Sequence, residues 1–209
     1  MKNVYIVGAQ STGKTTLVNA LEASFNASNS AHEVRSPSPL IVREVARTVL
    51  QEKGFSREDI TTSPTRALQL QRHILDAQYE AEVEASTSDV SPWYLCDRSG
   101  LDPIVYAKYF VGADAAAELL TSTSWLELEA RMKEGIVFVC EAGCHWLKDD
   151  GIRLMPIDAE EWTRIDDAFR KLLDARGIPY SVISKDVMEL QKRMKLVTDV
   201  IKVQGEVCG

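Results

Sequence analysis

Val4-Tyr5-Ile6-Val7-Gly8-Ala9-Gln10-Ser11-Thr12-Gly13-Lys14-Thr15-Thr16 stands near the amino end of the 209-residue sequence and decides how the rest is read. Its first four residues are an apolar run that suits a short, buried parallel strand. From Gly8 to Thr15 the spacing is G-x4-G-K-T, in which the glycines let successive backbone N–H groups turn inward around phosphate oxygens. Leu17, Leu21 and Phe25 then recur at helical spacing, so the loop opens onto a helix whose positive N-terminal end faces the same anion. Strand, loop and helix together predict a phosphate site made by Gln10, Ser11, Thr12, Gly13, Lys14, Thr15 and Thr16. Lys14 is expected to stand open toward the β- and γ-phosphates as a flexible cation, and Thr15 to offer its hydroxyl to Mg²⁺.

Four more short apolar runs follow, at residues 40–42, 93–96, 136–140 and 180–184. Helical spacing fills the intervals. Residues 64–85 carry Leu68, Leu75, Tyr79 and Val83 on one expected face. Asp158 with Glu161 reads as a capping pair for a helix bearing Trp162, Ile165, Phe169 and Leu172, and Leu190, Met194, Val197 and Ile201 mark a last helix. Residues 26–39, rich in Ser, Asn and Pro, read as a mobile connection. Strands alternating with helices predict a parallel sheet covered on both faces. The expectation is one domain over residues 1–209: a three-layer α/β fold with a five-stranded, mainly parallel sheet.

Composition narrows the function classes. Hydrophobic content of 45% and charged content of 26% are those of a globular domain, and no apolar run reaches membrane-spanning length. The chain enters its first strand directly, without a secretory signal, so a cytoplasmic location is expected. A net charge of −7 argues against general nucleic-acid binding, which leaves a basic footprint. Cys140, Cys144 and His145 lack the fourth ligand of a structural zinc site, and the cysteines read as reduced thiols.

Candidate site residues gather at the carboxyl ends of the predicted strands, where open α/β sheets bind ligands. Asp97 ends the third strand, in the place where a phosphate-loop site needs a carboxylate near Mg²⁺; the alternative is a helix N-cap shared with Ser99 and Asp102. Arg43 and Glu44 end the second strand. Glu44 could orient an acceptor hydroxyl and take its proton, or simply pair with Arg47 on the surface. Arg98, next to Asp97, can hold an acceptor or phosphate through paired donors, so Arg43, Glu44, Arg47, Arg98 and Asp102 form the candidate acceptor set. A lid segment is expected at about residues 145–165. Its Arg153 would neutralise charge during transfer, while Arg164 is either a second lid cation or a solvated helix residue.

The segments GAQSTGKTT, REVAR, CDRSGLDPIVYAKY and WLKDDGIR resemble the ribosylnicotinamide-kinase-like (NadR-like) AAA/P-loop NTPase family, from about residue 3 to residue 201. The Asp97-Arg98-Ser99 triplet is also similar to that of deoxynucleoside kinases. The resemblance implies a P-loop NTPase fold of nucleoside-kinase type, with Glu44 as base, Arg98 as substrate or phosphate ligand and Arg153 as lid arginine. Lys14, Glu44 and Arg153 are the expected catalytic groups. The implied activity is Mg²⁺-dependent transfer of the ATP γ-phosphate to a hydroxyl of a small, nucleoside-like acceptor, with GTP as the alternative donor. The competing reading is a nucleotide-binding switch or adaptor with slow hydrolysis and a protein or lipid partner. Ser184-Lys185-Asp186 weakens that reading, being one residue short of the usual guanine-reading motif.

Overall fold

A computed structural model of the chain describes residues 1–31, 37–144, 156 and 158–206. Along the chain run β1 (Val4–Val7), α1 (Lys14–Ala31), β2 (Leu40–Val42), α2 (Val45–Glu52), α3 (Arg57–Thr62), α4 (Pro64–Thr87) and β3 (Tyr94–Asp97). There follow α5 (Leu101–Phe110), α6 (Ala113–Leu120), α7 (Thr123–Glu134), β4 (Ile136–Cys140), α8 (Ala159–Arg176), β5 (Tyr180–Ile183) and α9 (Leu190–Glu206). The five strands lie in the order β2-β3-β1-β4-β5, and every adjacent pair is parallel. Among the described residues, no helix is long and apolar enough to cross a membrane.

Strand alternation sorts the core into two layers. Val4, Ile6, Leu95 and Phe138 face one side and pack with Leu17 and Leu21 of α1 and Val197 and Ile201 of α9. Tyr5, Val7, Tyr94, Cys96 and Val139 face the other and pack with α4, α5, α7 and α8 through Leu75, Leu101, Leu128 and Phe169. Each fully buried Leu contributes roughly 1.5–3 kcal/mol of transfer free energy. The register sets Ile6 opposite both Asp97 and Phe138, so β1, β3 and β4 deliver their carboxyl ends to one edge.

Local chemistry explains the helix starts. Ser63 accepts a hydrogen bond from the Arg66 N–H and Pro64 occupies the first turn, which starts α4 cleanly. Asp158 accepts from the Glu161 N–H, as the capping pair predicts, and Gly177 closes α8 in the left-handed conformation.

Three expectations need correction. Residues 26–31 continue α1 rather than leaving it, because elongating an established helix adds a hydrogen bond for each residue fixed. The third strand is displaced by one residue, so Asp97 belongs to the ladder, while Trp93 precedes it and donates its indole N–H to the Pro37 carbonyl. The buried face of α4 is rotated from the expected one. It carries Ala67, Leu70, Gln71, Ile74, Leu75, Gln78, Glu82 and Ala85, while Leu68, Tyr79 and Val83 are only partly buried. An apolar count misses that face because three of its residues are polar.

Glu82 is fully buried and is held by three donors. The hydroxyls of Tyr5 and Tyr94 reach its Oε2 at 3.1 and 2.9 Å, and Gln78 Nε2 reaches its Oε1 at 2.9 Å. Burial pushes its carboxyl above the ordinary glutamate value, against the pull of these hydrogen bonds and of Arg131. A raised folded pKa means the native state binds the proton more tightly than the unfolded chain. Stability therefore falls as pH rises from the usual glutamate range through the folded value. Urea melts across that range should show wild type losing stability relative to Glu82→Gln as pH climbs; parallel pH profiles would refute the assignment.

Candidate functional site

The phosphate loop is shaped by its contact with β4. Gly8 has φ +127°, and a Cβ there would stand 2.6 Å from the Cys140 carbonyl oxygen, so only glycine allows this approach. Gly13 and Ser11 also have positive φ, 83° and 58°. Ser11, Thr12, Gly13, Lys14, Thr15 and Thr16 line one small cleft, together with Arg98. Lys14 departs from expectation: it is 4% exposed, and its ammonium donates to the carbonyls of Gly8 and Ala9 and to Thr12 Oγ1. Burial, with the neighbouring Arg98 charge, lowers its pKa to about 8.

Asp97 is 1% exposed, and its Oδ1 has no hydrogen-bond partner among the described residues. The cap role falls elsewhere: Ser99 N–H donates to Asp102 Oδ2 at 3.0 Å, and Leu101 N–H donates to Ser99 Oγ at 3.1 Å. A buried carboxylate oxygen left unpaired costs on the order of 1–3 kcal/mol or more, and a cation would satisfy it. Thr15, half-buried, lines the phosphate cleft. Among the described residues no group of three or more His, Cys, Asp or Glu could hold a metal. Cys96, Cys140 and Cys144 are free and buried.

Arg98 links this cleft to a second one. Its φ is 86°, a conformation costing a non-glycine residue on the order of 1–3 kcal/mol and characteristic of functional positions. The guanidinium donates to Glu44 Oε1 at 2.8 Å and to Asp102 Oδ1 at 3.0 Å. Burial alone would lower its pKa, but Glu44 and Asp102 outweigh that and hold it firmly charged. Arg47 approaches the other oxygen of Glu44 at 3.4 Å. The second cleft is lined by Arg98, Glu44, Arg47, Gln10, Gln71 and Tyr106, with apolar walls from α2, α3 and α4. Asp102 lines the adjoining recess with Gln78 and Ser99.

Glu44, Arg47, Arg98 and Asp102 are thus brought together. Arg43 is not with them: exposed, it turns to Asn19 and Glu22 on α1. Arg164 is 57% exposed and meets Tyr109 and Glu160. Arg153, and most of the expected lid, lie outside the described residues. Sequence reading missed Gln71, Tyr106 and Arg57, which also line the second cleft. The available signal for Gln71 was a polar residue in register with Ala67, Ile74 and Gln78 on a buried helix stripe. Tyr106 had no such signal; its hydroxyl reaches Gln10 Oε1 at 2.7 Å across 96 positions.

A glycine-bearing loop between β1 and α1, a buried carboxylate at the end of β3 and the strand order β2-β3-β1-β4-β5 define a P-loop domain of the nucleoside- and nucleotide-kinase fold. Residues 3–190 match the model of an AAA domain family, and the chain belongs to that family. Its structure is similar to the NadR protein in complex with NR, with a TM-score of 0.61 and 18% identity over 87% of this chain and 43% of that one. It spans less than half the length of the two NadR chains it matches. Deoxyadenosine kinase from M. mycoides with bound dATP gives a TM-score of 0.62 and 11% identity, over 97% of this chain and 100% of that one. Thymidylate kinase from Ehrlichia chaffeensis gives 0.61 and 18%, over 96% and 98%. At these identities the likeness establishes the fold. No curated protein matches the sequence.

Two outcomes test the phosphate site. Binding of a nucleoside triphosphate should restore the full charge of Lys14, so above pH 8 binding takes up a proton and affinity weakens as pH rises. Titration calorimetry in buffers of different ionisation enthalpy reads that uptake; Lys14→Met should abolish it. Asp97→Asn should sharply reduce activity at ordinary Mg²⁺ while leaving the melting temperature near wild type. Full activity in that variant would remove Asp97 from the metal site.

Proposed function

We propose that the protein is a Mg²⁺- and ATP-dependent kinase that transfers the γ-phosphate to a hydroxyl of a small, nucleoside-like acceptor. The observation that carries this reading is Arg98, one buried guanidinium lining both the phosphate cleft and the apolar-walled cleft beside it. A site for hydrolysis alone has no need of a second cleft joined to the first by a shared cation. The fold likeness to nucleoside and nucleotide kinases supports the same reading.

In the proposed reaction the acceptor oxygen attacks the γ-phosphorus, the bond to the β–γ bridging oxygen breaks, and ADP leaves. Glu44 orients the hydroxyl and receives its proton. Such transfers pass through a loose transition state in which positioning and charge stabilisation outweigh base strength, so a carboxylate engaged by Arg98 and Arg47 suits the task. Arg98 and Lys14 face the charge that develops on the transferred group. Thr15 and Asp97 would hold Mg²⁺, which supplies charge neutralisation at the phosphates when bound. Arg153 and Arg164 remain the proposed lid cations.

Glu44→Gln is the discriminating variant. It keeps size and hydrogen-bonding capacity but removes the basic oxygen. Transfer should fall by roughly 10²- to 10⁴-fold, with nucleotide affinity nearly unchanged, in assays pairing ATP or GTP with a nucleoside panel. A variant that transfers normally would remove Glu44 from the chemistry. Slow hydrolysis without transfer to any acceptor would establish the switch reading in place of the kinase.

A further inference from the structure

Gln10 belongs to the phosphate loop by sequence, but its side chain belongs to the second cleft. Residues 11–16 line the phosphate cleft with Arg98, whereas Gln10 lines the neighbouring one beside Glu44, Arg98 and Tyr106. The residue is 3% exposed and is held at both ends. Its backbone carbonyl accepts from the Trp162 indole at 2.8 Å, and its side-chain Oε1 accepts from the Tyr106 hydroxyl at 2.7 Å.

The Tyr106 ring is itself fixed by its neighbours. It stacks on Phe110, with centroids 6.1 Å apart and planes within 5° of parallel, and meets Phe169 edge-on at 6.4 Å. Burial pushes its phenol up to about 12, so it keeps its proton and acts as the donor to Gln10. With Oε1 taken, Nε2 is the other end of the amide. That atom is buried and has no hydrogen-bond partner among the described residues.

A shielded amide N–H without an acceptor costs stability, and native structures hold few of them. Turning the amide over does not remove the cost, because Oε1 would then be the atom left alone. An apolar side chain of similar length would fill the same space without it. What the glutamine offers instead is a donor whose position is set in advance, from the backbone side by Trp162 and from the side-chain end by Tyr106. Because the residue stands in the wall of the second cleft and not of the phosphate cleft, the lone pair that completes it comes from an occupant of the second cleft.

We propose that Gln10 binds the acceptor: its Nε2 donates a hydrogen bond to a hydroxyl, ether or carbonyl oxygen of that molecule, and Tyr106 is the positioning residue that fixes the amide. This rests on the reading of the second cleft as the acceptor site. It goes beyond that reading by giving a residue of the phosphate loop the task of registering the acceptor against the phosphates, which is where transfer gains from orientation.

Gln10→Met, Tyr106→Phe and the double variant test the assignment. The bond from Trp162 goes to the backbone and survives all three changes. Titration calorimetry with Mg²⁺ and a non-hydrolysable ATP analogue should give affinities close to wild type. The double variant replaces both partners by apolar groups of similar shape, so its melting temperature should match or exceed that of wild type. Transfer from ATP is measured on adenosine, cytidine, uridine, thymidine and deoxyadenosine. With each nucleoside that wild type phosphorylates, Gln10→Met should raise KM by about tenfold or more, as loss of one hydrogen bond does, while kcat changes less. Tyr106→Phe should raise KM by a smaller factor. An unchanged KM in Gln10→Met overturns the proposal. So does a double variant in which melting temperature and nucleotide affinity fall together with transfer, since the pair would then be structural. Hydrolysis by wild type with no transfer to any of the five nucleosides removes the kinase reading and the acceptor contact with it, an outcome seen in wild type alone and so distinct from the other two.

Discussion

The ion pairs of Arg98 are the constraint on which the site depends. Its guanidinium is held by Glu44, at the start of α2, and by Asp102, in the first turn of α5, so one side chain from the end of β3 ties three segments together. All three side chains are at most 12% exposed. A buried pair of this kind adds little net stability, yet removing one partner costs roughly 3–5 kcal/mol because the other charge is left uncompensated. Stability alone therefore gives a weak reason for its presence. The left-handed backbone at Arg98 points the same way, since strain at a position lining two clefts is consistent with a functional demand on where the cation sits.

The second constraint is α4, which runs from the cleft to the amino ends of β1 and β3. Toward its carboxyl end, Glu82 and Gln78 are anchored to β1 and β3 through Tyr5 and Tyr94, near the amino ends of those strands. Toward its amino end the same buried stripe continues as Ile74, Gln71 and Leu70, which wall the cleft. A cleft wall needs polar atoms on an otherwise core-facing helix surface, and such a surface is stable only if its other polar residues are satisfied. The tyrosine hydroxyls do that for Glu82. The network is thus the structural counterpart of the open cleft about three turns away along the same helix.

This division also explains what could be read from the sequence. Elements governed by local chemistry were legible: the β1–loop–α1 unit from its glycine spacing, the Asp158 cap, and the apolar runs that became strands. Glu44, Arg47, Arg98 and Asp102 could be proposed because residues at strand ends of a parallel sheet converge on one edge. Arg43 shows the limit of that argument, since adjacent residues at a strand end point to opposite faces, and it turned to α1 instead of the cleft. The face of α4 was misjudged because polar side chains lie in the buried stripe. Lys14 is less open than its role with phosphate leads one to expect, because the loop's own carbonyls need its ammonium as a donor.

Those needs reach further than Lys14. A loop that turns its N–H groups toward an anion must turn its carbonyls away, and in a buried loop each carbonyl then requires a donor. Trp162 Nε1 from α8 supplies one to Gln10 at 2.8 Å, and Arg193 Nη1 from α9 supplies one to Thr12 at 3.0 Å. Thr12 Oγ1 and the Lys14 ammonium both donate to the Ala9 carbonyl. These donors lie 152 and 181 positions from the residues they serve, so no local pattern announces them. The phosphate loop is local in sequence, but its conformation is held by the far end of the chain. Trp162 also places the first turn of α8 directly against the loop. The start of α8 is therefore attached to the loop's own backbone, through the carbonyl of Gln10, whose side chain meets Tyr106 at the second cleft.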